Sequence, residues 1–179
     1  GSGGAYATWM ESATRVDPDA RIDMLVTRVT AAGTRPAGWT TDGFLVFQQS
    51  APFLPERFTY EYATPVPDGS GGLFVLRPRA AAGGSDIVAH HLLADGTNDP
   101  RWSALGLAVT TATGAQYNPA ATSDGRGGFI SQWQDERNGA PWDIDVYAQR
   151  VDGAGFRGDP SVSWTPAIAQ ASMNFNWPA

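Results

Sequence analysis

Asp23-Met24-Leu25-Val26-Thr27-Arg28-Val29, running on to Gly33, returns twice further along the chain. It comes back as Asp86-Ile87-Val88-Ala89-His90-His91-Leu92 before Gly96, and as Asp145-Val146-Tyr147-Ala148-Gln149-Arg150-Val151 before Gly155. In each arm ten positions separate the Asp from the Gly, a basic or imidazole side chain lies five after the Asp, and an aliphatic residue follows it. Threefold agreement at fixed offsets marks an internal repeat, and a repeat decides the fold before local propensity does.

Two further blocks travel with the arm. Upstream, Gly3-Gly4-Ala5-Tyr6-Ala7-Thr8-Trp9 matches Gly127-Gly128-Phe129-Ile130-Ser131-Gln132-Trp133, and Gly71-Gly72-Leu73-Phe74-Val75-Leu76-Arg77 matches both with Arg77 in place of Trp. Asp68-Gly69-Ser70 and Asp124-Gly125-Arg126 precede the last two. Asp-Gly supplies the positive φ of a tight hairpin, and a Gly-Gly pair admits close backbone approach where a Cβ would clash. Downstream, Trp39 and Trp102 each come six after the arm's Gly and are followed by Gly43 and Gly106; in the third copy Ser161 holds that place and Trp164 comes three later.

The composition agrees with short strands. Among 179 residues, 21 Gly and 13 Pro punctuate runs of Thr, Val and aromatics, and no stretch keeps apolar residues at helical spacing for three turns, so almost no helix is expected. The net charge of -6, without a basic cluster, argues against nucleic acid. No apolar run approaches the ~18 residues of a membrane span. The absence of cysteine excludes disulfides and thiolate metal sites.

One unit therefore reads as a strand entering Asp-Gly, a strand from Gly-Gly to Trp, the Asp arm, and a run such as Leu107 to Thr111. Four antiparallel strands per unit is the blade of a β-propeller. The expectation is an all-β chain of three blades, with repeats at approximately 1–62, 63–117 and 118–179. The extra length falls in loops, notably 12–21 and 51–60.

These blocks resemble the tandem β-propeller repeats of a broad group of secreted bacterial proteins. Their pattern runs Pro, Asp-Gly-x-Gly-Gly, a short strand, Trp-x-Asp-x-Arg, Asp-Ile, an arm ending in Arg-Val, Gly, then Trp. The matching copy here is Pro119, Asp124-Gly125-Arg126-Gly127-Gly128, Trp133-Gln134-Asp135-Glu136-Arg137, Asp143-Ile144, Arg150-Val151 and Gly155. Copies one and two keep no Asp-x-Arg at that place. The resemblance covers essentially the whole chain and implies an extracellular or cell-surface modular propeller, with no catalytic residue and no cofactor.

Natural propellers have four to eight blades. Asn176-Trp177-Pro178-Ala179 looks like Tyr117-Asn118-Pro119-Ala120, so the chain stops nearly in phase with its own start. The expectation is closure by association: with itself, a dimer of six blades being favoured, or with neighbouring blades of a longer parent. A non-enzymatic scaffold or binding surface is the first functional reading. A glycan-binding propeller lectin is the alternative, and a fragment of a propeller glycoside hydrolase the third.

Each candidate ligand contact has a packing alternative. Trp9, Trp39, Trp102 and Trp133 recur at repeat positions and are assigned to the core between blades. Off-pattern Trp142, Trp164, Phe175 and Trp177, with Tyr60 and Tyr62 in a long loop, are the sugar-stacking candidates. Asp135 and Arg137 are candidates for a carboxylate or sugar hydroxyl, set against an ion pair bracing a turn. No metal site is assigned, because a dense oxygen-ligand loop is missing. His90 and His91 are adjacent on a strand and point to opposite faces, so they cannot chelate one ion together.

Overall fold

The computed structural model describes residues 3–12, 22–49, 63–138, 144–155 and 171–172. Among these there is no helix, and eleven strands form three antiparallel sheets. The first sheet holds β1 (Ala5–Ser12), β2 (Ile22–Val29) and β3 (Phe44–Gln49). The second holds β4 (Thr64–Pro67), β5 (Leu73–Ala81), β6 (Gly84–Leu92) and β7 (Leu107–Thr110). The third holds β8 (Gln116–Ser123), β9 (Phe129–Asp135), β10 (Asp145–Val151) and β11 (Ala171–Ser172). In each, strands pair in chain order as a meander, which needs only short connections.

Proline and glycine explain where the strands stop and bend. Pro65 and Pro67 are tolerated because β4 is an edge strand. Pro119 falls in the edge strand β8 at a bulge, beside Asn118, the only described non-glycine residue with positive φ (52°). The second glycine of each Gly-Gly pair answers a shortage of space. A Cβ would lie 2.4 Å from the Val29 carbonyl oxygen at Gly4, 2.2 Å from that of Leu92 at Gly72, and 2.3 Å from that of Val151 at Gly128. The three carbonyls belong to the same position of the three arms. Bulges also recur, between Met24 and Leu25 where β2 meets β3 and between Ile87 and Val88 where β6 meets β7.

The sheets stack face to face, with the second in the middle. One apolar core joins Met24, Val26, Val46 and Phe47 of the first sheet to Leu73, Val75 and Leu92 of the second, with Trp39 between them. The other joins Phe74, Leu76, Ile87 and Ala89 of the second sheet to Phe129, Trp133, Tyr147 and Val151 of the third, around Trp102. The middle sheet is thus covered twice: Leu73 to Pro78 are buried without interruption, whereas β9 alternates buried Phe129, Ser131 and Trp133 with exposed Ile130 and Gln132. Continuous burial on a strand means both faces are packed; alternation means one face meets water. Burial of a Phe side chain such as Phe74 or Phe129 is worth about 2–3 kcal/mol.

The same tether joins both pairs of sheets. The Trp39 indole N–H donates to the Ala94 carbonyl at 2.8 Å, and the Trp102 indole N–H donates to that of Gly153 at 3.4 Å. Each acceptor lies two residues before the arm's closing glycine, in the next unit along the chain. Among the described residues the stack leaves two outer faces. Leu45 pairs with Leu25 on the outer face of the first sheet and is 42% exposed; Ile130 on the outer face of the third is 41% exposed.

Candidate functional site

The polar side chains that the repeat brings together centre on the Asp-Gly turns. Asp68 Oδ1 accepts from the backbone N–H of Ser70 (2.7 Å) and of Gly72 (2.9 Å). Asp124 Oδ1 does the same for Arg126 (2.7 Å) and Gly128 (2.9 Å). Asx turns of this kind fix a hairpin's entry. The second carboxylate oxygen then meets the basic residue of the unit's own arm. Asp124 Oδ2 accepts from Arg150 Nε at 2.8 Å, and Asp68 Oδ2 lies 3.2 Å from His91 Nε2. The first arm differs. Among the described residues Arg28 meets no carboxylate; one guanidinium N–H donates to the Gly71 carbonyl at 2.9 Å, and the group lies 5.6 Å from the Tyr6 ring centre.

In the middle sheet this pairing extends into a hydrogen-bonded chain of side chains. The other nitrogen of His91, Nδ1, lies 2.9 Å from Asp99 Oδ2. Asp99, almost fully buried, accepts from Arg101 through Nε at 3.0 Å and through the terminal nitrogen at 2.6 Å. The bidentate Arg101 bond, aided by that guanidinium's charge and opposed by burial, holds the Asp99 carboxyl well below the usual carboxylate range. The imidazole stacks on Phe74 with ring centres 4.3 Å apart and meets Trp102 edge-on at 5.5 Å. His91 hence spends both ring nitrogens and its aromatic contacts inside the protein, as a brace between turn, arm and loop. The signal in the sequence for this cluster is Asp99-Pro100-Arg101, which repeats the Asp-x-Arg spacing of Asp135 and Arg137 at a different place in the unit.

Asp135 and Arg137 are brought together in the third sheet. Asp135 is fully buried and accepts from the Trp133 indole N–H at 2.9 Å, from the Arg137 backbone N–H at 2.9 Å and from Arg137 Nε at 2.9 Å. The Arg137 guanidinium carbon lies 3.7 Å from the Tyr147 ring centre. The pair occupies its own hydrogen-bonding groups at the end of β9. In the first sheet the Trp9 indole N–H makes the corresponding, more exposed bond to Glu11 at 3.2 Å.

His90 and His91 do point opposite ways. His90 faces the first sheet, stacked on Phe47 with ring centres 5.8 Å apart, and Arg77 lies over the same Phe47 ring at 3.5 Å. Burial first, then the charges of Arg77 and Arg79, push His90 down to about 4. Its Nε2 is buried, with no hydrogen-bond partner among the described residues.

Of the recurrent tryptophans, Trp39, Trp102 and Trp133 are buried in the cores and Trp9 is half-buried on the outer face of the first sheet. Trp142, Trp164, Phe175, Trp177, Tyr60 and Tyr62 lie outside the described residues, as does Asp143. Among the described residues no group of three or more acidic or imidazole side chains is placed to hold a metal ion. One hollow of about 600 Å³ opens between the start of β1 and the Asp68 turn, lined by four glycines with Tyr6, Arg28 and Ser70 among the rest. No protein-family model matches the chain, and no curated protein matches it.

Proposed function

We propose that this chain is a non-enzymatic β-propeller module, its three sheets serving as blades of a larger ring and offering a scaffold or binding surface. The observation that carries the reading is the repeated indole tether: Trp39 to Ala94 and Trp102 to Gly153 join each sheet to its successor through the same positions. An interface that is translated from one unit to the next is heterologous, so it has two unlike ends and is satisfied only by further units. The apolar outer faces at Leu25 and Leu45, and at Val146 and Ile130, are those two ends. A second copy of the chain covers both outer faces at once, giving six blades, a ring that leaves each blade only short, protected edges.

Light scattering coupled to size-exclusion chromatography tests this directly. A particle near twice 19.0 kDa is the expected result. A larger closed multiple keeps the ring and changes its blade number. A stable monomer of the full chain sinks self-closure.

A further inference from the structure

The junction between the first and middle sheets differs from the junction between the middle and third at one pair of places. His90 and Gln149 stand four after the Asp of their arms, and each faces the preceding sheet, as Leu92, Tyr147 and Val151 do along the same strands. On the neighbouring strand Arg77 stands at the first junction where Trp133 stands at the second. The His90 ring lies over Phe47 of β3 with 18° between the ring planes, and Arg77 covers the same Phe47 ring. His90 is 3% exposed, and Gly106 closes over its Nε2, where a Cβ would lie 3.0 Å from that nitrogen. The charges that act on the imidazole are positive, Arg77 and Arg79 of β5, and Asp86 of β6 is bonded to Arg79 at 3.5 Å. The first sheet presents Met24, Val26, Val46 and Phe47, all apolar. Its Arg28 is tied to the Gly71 carbonyl, and Asp23, alternating with Met24, lies with its strand partner Glu11 on the outer face. No residue of β7 is charged, and Asp99 and Arg101, in the loop before it, bond each other and His91 on the opposite face of β6.

We propose that the first junction is an acid-operated latch: a proton on His90 releases the first sheet from the middle one, while the middle and third sheets stay joined. An imidazolium there is a buried charge whose Nε2 has no acceptor among the described residues, in the field of two guanidiniums. Opening returns the ring to water, where its ordinary value of 6.5 replaces the value of about 4 it has inside. The closed junction thus favours the neutral ring, and acid favours the open one. The ratio of open to closed grows by up to about tenfold for each pH unit lost between 6.5 and about 4. The second junction has no such group: Gln149 does not titrate, and Arg137 and Arg150 are paired with Asp135 and Asp124. Release uncovers Leu73, Val75 and Leu92 together with Met24, Val26 and Phe47, so a fall in pH becomes exposure of an apolar face.

Each junction carries its own reporter, the tethered indole N–H of Trp39 at the first and of Trp102 at the second. Both resonances, assigned by triple-resonance spectra of the labelled full chain, are followed from neutral pH down to about 4, together with the Cε1–H of His90. The expected result is that Trp39 leaves its closed position with a midpoint between 6.5 and about 4, coincident with the His90 titration, while Trp102 holds. In His90→Gln the Trp39 signal should hold as well. The comparison of the two indoles within the native chain needs no variant, and it decides the matter where His90→Gln does not fold. Three outcomes overturn the latch: both indoles moving together, a Trp39 signal that stays in place over the whole range, or the same Trp39 midpoint in His90→Gln. The reporters are read whatever the mass of the particle, so the latch and the assembly reading can fail separately.

Discussion

His91 is enclosed by two carboxylates, two aromatic rings and no open solvent, so its removal leaves charges that water cannot reach. Leaving a buried acceptor without its hydrogen-bond partner costs about 1–3 kcal/mol, more for a charged group. Asp68 keeps its backbone donors and Asp99 keeps Arg101, and with two acceptors affected His91→Ala should cost about 3 kcal/mol by urea unfolding. A loss below about 1 kcal/mol would show that the imidazole is no brace. His90, one residue earlier, makes a different prediction. Its ordinary value of 6.5 is pushed down to about 4, so the folded chain keeps it neutral where the unfolded chain would protonate it. Its contribution is therefore fully present above pH 6.5 and is lost as pH falls towards 4, at up to about 1.4 kcal/mol per pH unit. Asp99 shifts downward, so its contribution is present above the ordinary carboxylate value of 3.8 and is lost only as pH falls below it. The two windows do not overlap. Unfolding free energies between pH 7 and 4 should fall in the native chain and stay flatter in His90→Gln, which carries the residue found at the same arm position, Gln149.

Two glycines of one turn separate conformational from spatial constraint. Gly125 has φ of 73° and nothing within 4 Å of a would-be Cβ, whereas Gly128 would place a Cβ 2.3 Å from the Val151 carbonyl oxygen. Gly125→Asn should cost less than about 1 kcal/mol, since Asn tolerates the left-handed region. Gly128→Ala must push β9 away from β10 and should cost about 3 kcal/mol, the upper end for overpacking. Equal losses in thermal unfolding would mean that only the turn's φ matters. At this scale much was legible in the chain: Gly-Gly, Asp-Gly and the arm's closing glycine announced strands and turns through their own stereochemistry. What stayed hidden depended on which neighbour each face meets. Leu73 to Leu76 is an apolar run that a buried helix segment would also show, and only the stacking of sheets on both sides decides it. The Asp99–His91 bond joins residues 8 apart across a loop whose path no spacing encodes.

The direction of the stack is a property of the whole molecule, and it distinguishes between ways of assembling. Both internal junctions use the front of one sheet against the back of the next, with the tryptophan tether always on the earlier unit. Assembly that continues this pattern sets the Leu45 face of one copy against the Ile130 face of another. Leu45→Glu and Ile130→Glu each bury a carboxylate among apolar groups in that arrangement, and an unpaired charge there costs several kcal/mol. Each variant alone should therefore run as a monomer in light scattering. A twofold dimer made by apposing two copies of the first sheet would be broken by Leu45→Glu and left intact by Ile130→Glu. Mixing the two variants gives a third observable. In the head-to-tail arrangement one junction then joins two unaltered faces, the Leu45 face of the Ile130→Glu copy and the Ile130 face of the Leu45→Glu copy. Recovery of a dimer in the mixture, absent from either variant alone, is the outcome that a translated interface requires; variants that each stay dimeric on their own would leave the outer faces without a role in assembly.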